Sequence, residues 1–508
     1  MTDPNPSANP SEGKATSQMS VRSATMWAAI GQYSSFALQF AASVIVARFF
    51  LDPAEVGVFS VAFSAAALVH GLQDFGLNRF IVGAKVMDDR LLRVSFLVSV
   101  AVAIFITGTI LLIAQPLADF YEMEALFAIA VVIAIAYGFV PFSVVPLAML
   151  QRELEFGKLA FVEIGGSVIS VSVTITAAWM GYSSLSLALG VLAFQISRAG
   201  LTQLVNPLFR LFPVTLKGTA SVFTYGGWSG VLSLTGSAAS RAPDLIVGKV
   251  LGDVAVGLYG RATGLAGQIG MLVGGPVEAV FYPSFARARD RDEDLAQHYL
   301  KLTAALCAVT FAAMIGIAAV AHPLVLGLYG ERWAEVAPLL ILIALAQVFR
   351  IALPLHIDIG YLMGGWRRVI QLTLLDAAIS ITLLLIAAPY GIIWAAASRI
   401  AHGAVWWVIH AVFLQRLIKF RWSALFSIYA KTTLAALAAI APLTLGYALW
   451  LSPAQMPLLI AVPLCLCGVP LWYAALVALS HPSAEDLANM ARDQIWPMAS
   501  RLKKRMRA

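Results

Sequence analysis

Residues 51–60 read LDPAEVGVFS, and residues 251–260 read LGDVAVGLYG. Leu51 aligns with Leu251, Val56 with Val256, Gly57 with Gly257 and Phe59 with Tyr259, an offset of 200 residues at each position. Each phrase is a short polar break between two long apolar runs. A repeat at fixed offset points to a duplicated structural unit, so it outranks any local motif in deciding the fold.

The apolar runs set the solvent. The chain has 508 residues, of which 60% are hydrophobic and 12% charged, with a mean hydropathy of +0.84. A soluble domain carries about 25% charged residues, so the natural unit here is the membrane span of about 20 apolar residues. Helices are expected near 24–50, 54–82, 91–114, 125–149, 157–180, 183–207, 223–250, 254–283, 299–320, 335–361, 368–388, 391–412, 424–450 and 456–480, fourteen in all. The fold class is therefore an all-α membrane protein. The Ser/Pro/Asn-rich residues 1–20 read as a disordered cytoplasmic tail. The apolar run that follows is too long for a signal peptide and reads as the first span. Cys307, Cys465 and Cys467 all sit in apolar runs, which fits small packing residues and neither a disulfide framework nor a metal site.

Basic residues in short loops orient the spans. Alternate loops hold Lys85, Arg90 and Arg93; Arg152 and Lys158; Arg210 and Lys217; Arg287, Arg289, Arg291 and Lys301; Arg367 and Arg368; and Arg416, Lys419 and Arg421. The intervening loops hold only Lys249 and Arg332. Both termini are expected in the cytoplasm, and the net charge of +7 follows from topology rather than from nucleic-acid binding. The C-terminal residues 483–508 end in Arg501, Lys503, Lys504, Arg505 and Arg507, the pattern of a basic amphipathic helix lying on anionic headgroups.

Six helices separate the two phrases, so both copies start from the same side. The repeat predicts two parallel six-helix lobes, residues 21–210 and 211–420, with helices 13 and 14 (421–482) appended. Gly57 and Gly257 suit a tight turn or a close helix approach.

Four stretches also resemble a known family. ARFFLDPAEVGVFSVAFSAAALVHGLQDFGLNRFIV resembles the first-lobe signature of bacterial polysaccharide transporters, and VPLAMLQRELEFGKLAFVEI their fourth-to-fifth helix loop. RAPDLIVGKVLGDVAVGLYGRATGL and VEAVFYPSFARARD resemble their seventh and eighth helices. These are the O-antigen and exopolysaccharide flippases of the multidrug/oligosaccharidyl-lipid/polysaccharide superfamily, and the likeness is to the branch exporting colanic acid-like or teichuronic acid-like polymers. The resemblance implies fourteen helices and two lobes around a central cavity; no cofactor is expected. The implied substrate is an oligosaccharide repeat unit on polyprenyl pyrophosphate, moved from the inner to the outer leaflet of the bacterial inner membrane. The implied partners are membrane lipids, a polysaccharide polymerase and chain-length proteins, without nucleic acid.

Charged groups inside a bilayer are costly and by default face a cavity or a partner. Arg198, Arg241, Arg261, Arg350 and Arg399 all fall deep within expected helices. Arginine stays ionised and forks onto phosphate oxygens, so these five are the candidate cavity cations for a pyrophosphate. The plainer alternative for each is a local carboxylate or snorkelling; it is strongest for Arg241, three residues from Asp244. No GxxxxGK phosphate loop occurs, so an ion gradient is the economical drive. Candidates for coupling are His70 with Asp74, spaced i, i+4, and Asp244, with Asp358 and Asp376 weaker. A structural hydrogen bond is the commoner role for such pairs. Gly274, Gly275 and Pro276, with Pro243 and Pro354, are candidate helix breaks or hinges. Tyr121, Trp333, Tyr390 and Trp450 read as interface anchors.

Besides a purely structural scaffold, two rivals remain open at this point. An ion-coupled drug or metabolite antiporter of the same superfamily would place acids in its cavity, whereas deep arginines outnumber deep acids in the second lobe. A membrane polymerase, ligase or glycosyltransferase would need a sizeable extramembrane segment, and the outer loops are short. The topology is checked by alkaline phosphatase fusions: activity is expected at Arg332 and none at Lys419 or at the C-terminus.

Overall fold

The computed structural model describes residues 21–71, 77–83, 88–207 and 236–485. The expected N-terminal tail, all but the first three residues of the expected tail 483–508, Asp74, and the start of the expected seventh helix lie outside them. Among the described residues every regular element is helical. Among the described residues eleven helices, or up to twelve with one bent pair, are long and apolar enough to cross a membrane.

The chain divides into two compact units. The first comprises Met1–Val46, Ala66–Phe120 and Glu124–Gly236. It is built from α1 (Val21–Phe49), the end of α2 (Pro53–His70), α3 (Leu77–Gly83), α4 (Asp89–Tyr121), α5 (Glu124–Gly138), α6 (Pro141–Arg152), α7 (Phe156–Trp179) and α8 (Leu185–Val205). Two of the expected continuous helices are divided. The described part of 54–82 is α2 and then α3, and 125–149 is α5 and α6 with a 47° bend. Pro141 begins the second segment, where a missing N–H and a fixed φ suit a helix start. In the α7–α8 pair, Ser170 Oγ donates to Gly190 O at 2.8 Å. A Cβ on Gly190 would sit 1.9 Å from Thr174 Oγ1, so this hairpin relies on small residues for close approach, as membrane helices commonly do.

The second unit comprises Ala47–Ala65, Tyr121–Met123 and Ser237–Ala508. It holds the start of α2, α9 (residues 236–251), α10 (Asp253–Asp290), α11 (Leu295–Tyr329), α12 (Val336–Ile351), α13 (His356–Leu362), α14 (Trp366–Ala387), α15 (Ile392–Ile418), α16 (Trp422–Leu449) and α17 (Leu458–Ala478). The unit thus takes in the first repeat phrase along with the second, across the boundary that the sequence placed at 210.

The two phrases meet inside this unit. A Cβ on Gly57 would lie 1.9 Å from Asp253 O, and a Cβ on Gly257 would lie 1.9 Å from Pro53 O and 3.2 Å from Gly57 N. Each glycine faces the backbone at the start of the other's helix, a reciprocal crossing that no larger residue fits. The two helices begin by different means. In the first copy Asp52 N donates to Glu55 Oε2 and Glu55 N to Asp52 Oδ1, both at 2.9 Å. That is a reciprocal capping box with proline in the first turn. In the second copy Gly252 adopts φ +88° ahead of Asp253, a conformation that glycine alone takes without strain.

Further contacts fasten this corner. Trp333 Nε1 donates to Ala47 O at 2.9 Å, and Arg48 donates to Gly327 O. Trp333 is 0% exposed, so it is a buried strut and not the interface anchor its place near a span end suggests. Tyr390 and Trp450 are exposed, as anchors require. The backbone stays helical through 274–276. The 335–361 segment, by contrast, breaks between α12 and α13, where Pro354 precedes Leu355 at φ +54°.

Helices α16 and α17 form a hairpin that packs on α11. Gly468 lies against the backbone of Ala439. Lys431 Nζ donates to Ser480 O at 3.0 Å, and Thr432 Oγ1 lies 3.0 Å from His481 Nε2.

The crossing yields a stability prediction. Gly257→Ala is expected to destabilise the detergent-solubilised protein by about 1–3 kcal/mol, the usual cost of overpacking. Gly264→Ala, on the same helix with open space around it, is expected to be neutral or to stabilise by up to about 1 kcal/mol. Paired thermal unfolding curves check this.

Candidate functional site

The break in the α12–α13 span is where the second unit concentrates polar chemistry. Breaking a membrane helix frees backbone carbonyls, which must find donors within the protein. Tyr429 Oη donates to Ala352 O at 2.7 Å, and His356 Nδ1 lies 3.2 Å from Leu353 O. Arg350 occupies the last turn of α12, where the helix dipole favours a cation. Its guanidinium carbon stands 5.4 Å from the centre of the Trp406 ring, while the side chain remains exposed.

Trp406 belongs to a stripe on α15. His402, Trp406 and His410 recur every four residues and so share one face. His402 is 3% exposed, and its Nε2 lies 2.6 Å from Asp376 Oδ1 on α14. One turn along α14, Ser380 Oγ accepts from Arg399 Nη1 at 2.7 Å. The His410 ring stacks on Trp406 with centroids 4.5 Å apart, and His356 meets both rings edge-on at 4.7 and 5.1 Å. The charges acting on Arg350 are the Asp376 carboxylate, which attracts it, and Arg399, which repels it.

The structure thus brings Arg350 and Arg399 into one polar region and places the other candidates elsewhere. Arg198 Nη2 pairs with Glu163 Oε1 on α7 at 2.8 Å, inside the first unit. Arg261 is enclosed by Tyr329 and Trp333, 5.0 Å from each ring centre. Such a box holds a cation by its ring quadrupoles and anchors the segment after α11. The Arg241 guanidinium lies 5.2 Å from the Phe63 ring centre, and Asp244 accepts from Ser64 Oγ at 2.7 Å. His70 ends α2 and stacks on Tyr137 at 4.3 Å; Asp74 lies outside the described residues. Asp358 is exposed on α13. Gly274, Gly275 and Pro276 lie within α10, and their surroundings are outside the described set.

Sequence reasoning passed over His356, His402, His410 and Trp406. A signal was present: the four-residue stripe on α15, paralleled by Asp376 and Ser380 on α14. Among the described residues no group of three or more His, Cys, Asp or Glu is placed to hold a metal ion.

Residues 45–338, more than half of the chain, match the model of the polysaccharide biosynthesis protein family. The chain belongs to that family. Lipopolysaccharide biosynthesis protein WzxC of Escherichia coli (strain K12) is 23% identical over 341 residues, covering 65% of this chain and 68% of that protein. Succinoglycan biosynthesis transport protein ExoT of Rhizobium meliloti (strain 1021) is 23% identical over 344 residues, covering 66% and 68%. Teichuronic acid biosynthesis protein TuaB of Bacillus subtilis (strain 168) is 22% identical over 280 residues, covering 55% and 58%. Among solved structures, the lipid II flippase MurJ in an inward closed conformation superposes with a TM-score of 0.67 at 13% identity, over 89% of this chain and 100% of MurJ. An inward-facing multidrug resistance MATE transporter superposes with a TM-score of 0.53 at 16% identity, over 80% and 97%. By family the chain is a polysaccharide biosynthesis protein, and by fold it shares the multi-pass all-helical architecture of these membrane proteins.

The His402–Asp376 contact is expected to be a strong coupling. A double-mutant cycle of His402→Ala and Asp376→Asn, read by thermal unfolding, is expected to give about 1.5–3 kcal/mol, the range for a hydrogen bond to a charged group. A coupling below about 0.5 kcal/mol would mean the pair is incidental.

Proposed function

We propose that this protein is a flippase that carries polyprenyl-pyrophosphate-linked oligosaccharide repeat units across the bacterial inner membrane by alternating access, supplying surface polysaccharide synthesis. The single observation that carries this reading is the exposed Arg350 at the break of the α12–α13 span, with Arg399 in the same polar region. A broken membrane helix is where transporters place substrate groups, and a pyrophosphate needs permanent cations with several donors. The fold shared with MurJ and the family match support the transport role; the lipid-linked substrate is the inference.

Arg350 and Arg399 are assigned the pyrophosphate. Arg198 and Arg261, held by Glu163 and by two aromatic rings, are assigned structural support, and Arg241 stays a secondary candidate. The drive is assigned to an ion gradient. Asp244, the His70–Asp74 region and the Asp376–His402 pair are the titratable groups that could sense it. The Gly57–Gly257 crossing is assigned to the outer side, where the loop charges place both phrases.

In a deletion strain, surface polymer is expected to vanish and lipid-linked repeat units to accumulate on the cytoplasmic face. Arg350→Ala or Arg399→Ala, at normal abundance, is expected to restore about tenfold less polymer than the wild type, the loss of one charge-assisted hydrogen bond. Arg350→Lys is expected to be intermediate. Unchanged polymer with altered drug sensitivity would overturn this reading in favour of a drug antiporter.

A further inference from the structure

A cavity in the second unit is lined by residues other than those of the α12–α15 cluster. It has a volume of about 580 Å³ and opens between the starts of α11 and α16. Its charged lining is Glu293, Asp294, Lys301 and Lys431, and Leu300 and Ile428 contribute apolar wall. Nothing in the transport reading uses it.

The charges are layered. Glu293 and Asp294 precede α11, while Lys301 lies about 10 Å further along the helix axis at 1.5 Å per residue. Lys431 comes from well inside α16 and spends one donor on Ser480 O, leaving two of an ammonium's three. Asp294 caps α11 through Ala296 N and Gln297 N, and Glu293 pairs with Arg291 at 3.8 Å; both carboxylates keep acceptor capacity. His298, also in the lining, contacts Ser284 Oγ at 3.1 Å. The loop before α11 carries Arg287, Arg289 and Arg291 and so belongs to the cytoplasmic side. The two carboxylates then lie at the aqueous end, and the lysines lie nearer the hydrocarbon.

That order matches one headgroup. In an inner-leaflet phosphoethanolamine lipid the phosphate is nearer the acyl chains and the ammonium nearer water. We infer that this cavity is a binding site for an aminophospholipid of the cytoplasmic leaflet, with Lys301 and Lys431 on the phosphate and Glu293 and Asp294 on the ammonium. An anionic headgroup without an amine adds no donor to the acceptor capacity those two carboxylates keep. A choline headgroup has no N–H to donate to them. The site sits where α11 meets the α16–α17 hairpin, so the lipid fills the seam between the second lobe and its appendage. The inference rests on the orientation of α11 and not on what the transport pathway carries.

The test is lipid retention by the purified full-length protein, measured by native mass spectrometry after exchange with mixed micelles of phosphatidylethanolamine, phosphatidylglycerol and phosphatidylcholine. Phosphatidylethanolamine is expected to be retained about tenfold over phosphatidylcholine, the worth of about 1.4 kcal/mol. The double variant Lys301→Gln/Glu293→Gln is expected to abolish the preference while keeping the elution profile and helical content of the wild type. Equal retention of the three lipids, or a preference that survives the double variant, overturns the proposal. A preference for phosphatidylglycerol lost on Lys301→Gln alone would show a site that reads phosphate only, and overturns it too. Soluble phosphoethanolamine displacing the lipid at equal concentration would mean a metabolite site and not a lipid site.

Discussion

An ionised side chain within a membrane protein must be answered by an opposite charge, an aromatic face, a hydroxyl or water, and the polar anatomy of this chain follows from how each group is answered. Arg198 is answered by Glu163, Arg261 by two rings, Asp244 by Ser64, Asp376 by His402 and Arg399 by Ser380. Arg350 has a ring beneath it and remains exposed. The same requirement governs the backbone: where α12 stops, Tyr429 and His356 take up the carbonyls it releases.

The architecture rests on small residues that let backbones touch. Gly57 and Gly257 at the crossing, Gly190 against Thr174, and Gly468 against Ala439 each occupy a place where a methyl group would strike a neighbour. In a membrane the hydrophobic effect contributes little between helices, and close packing takes its place. The charged and the small residues therefore divide the work: the first define where chemistry can occur, and the second hold the helices close enough to define it.

Much of this was legible beforehand. Apolar runs gave the helical class, the repeat phrase located the crossing glycines, and Arg350 and Arg399 stood out as deep cations. Spacing along one helix reveals a face but not the helix opposite. Glu163 lies 35 residues from Arg198, and Asp376 lies 26 from His402, so no local rule pairs them. Trp333 looked like an anchor because position near a span end does not say whether a ring points to lipid or inward. The bend at Pro141 was missed because the apolar run passes through it unbroken, and hydropathy does not register a change of axis.

The crossing also has an evolutionary consequence. Each glycine's free space is bounded by the other's helix start, so the two positions share one volume. A side chain gained at either site displaces both helices, and no single substitution in the partner phrase restores the gap, because the obstructing atoms are backbone. Such a position cannot drift in size. After a duplication, sequence likeness would fade first where contacts are private and last where the two copies touch. The two glycines accordingly hold the same place in both phrases, while most of the residues around them differ.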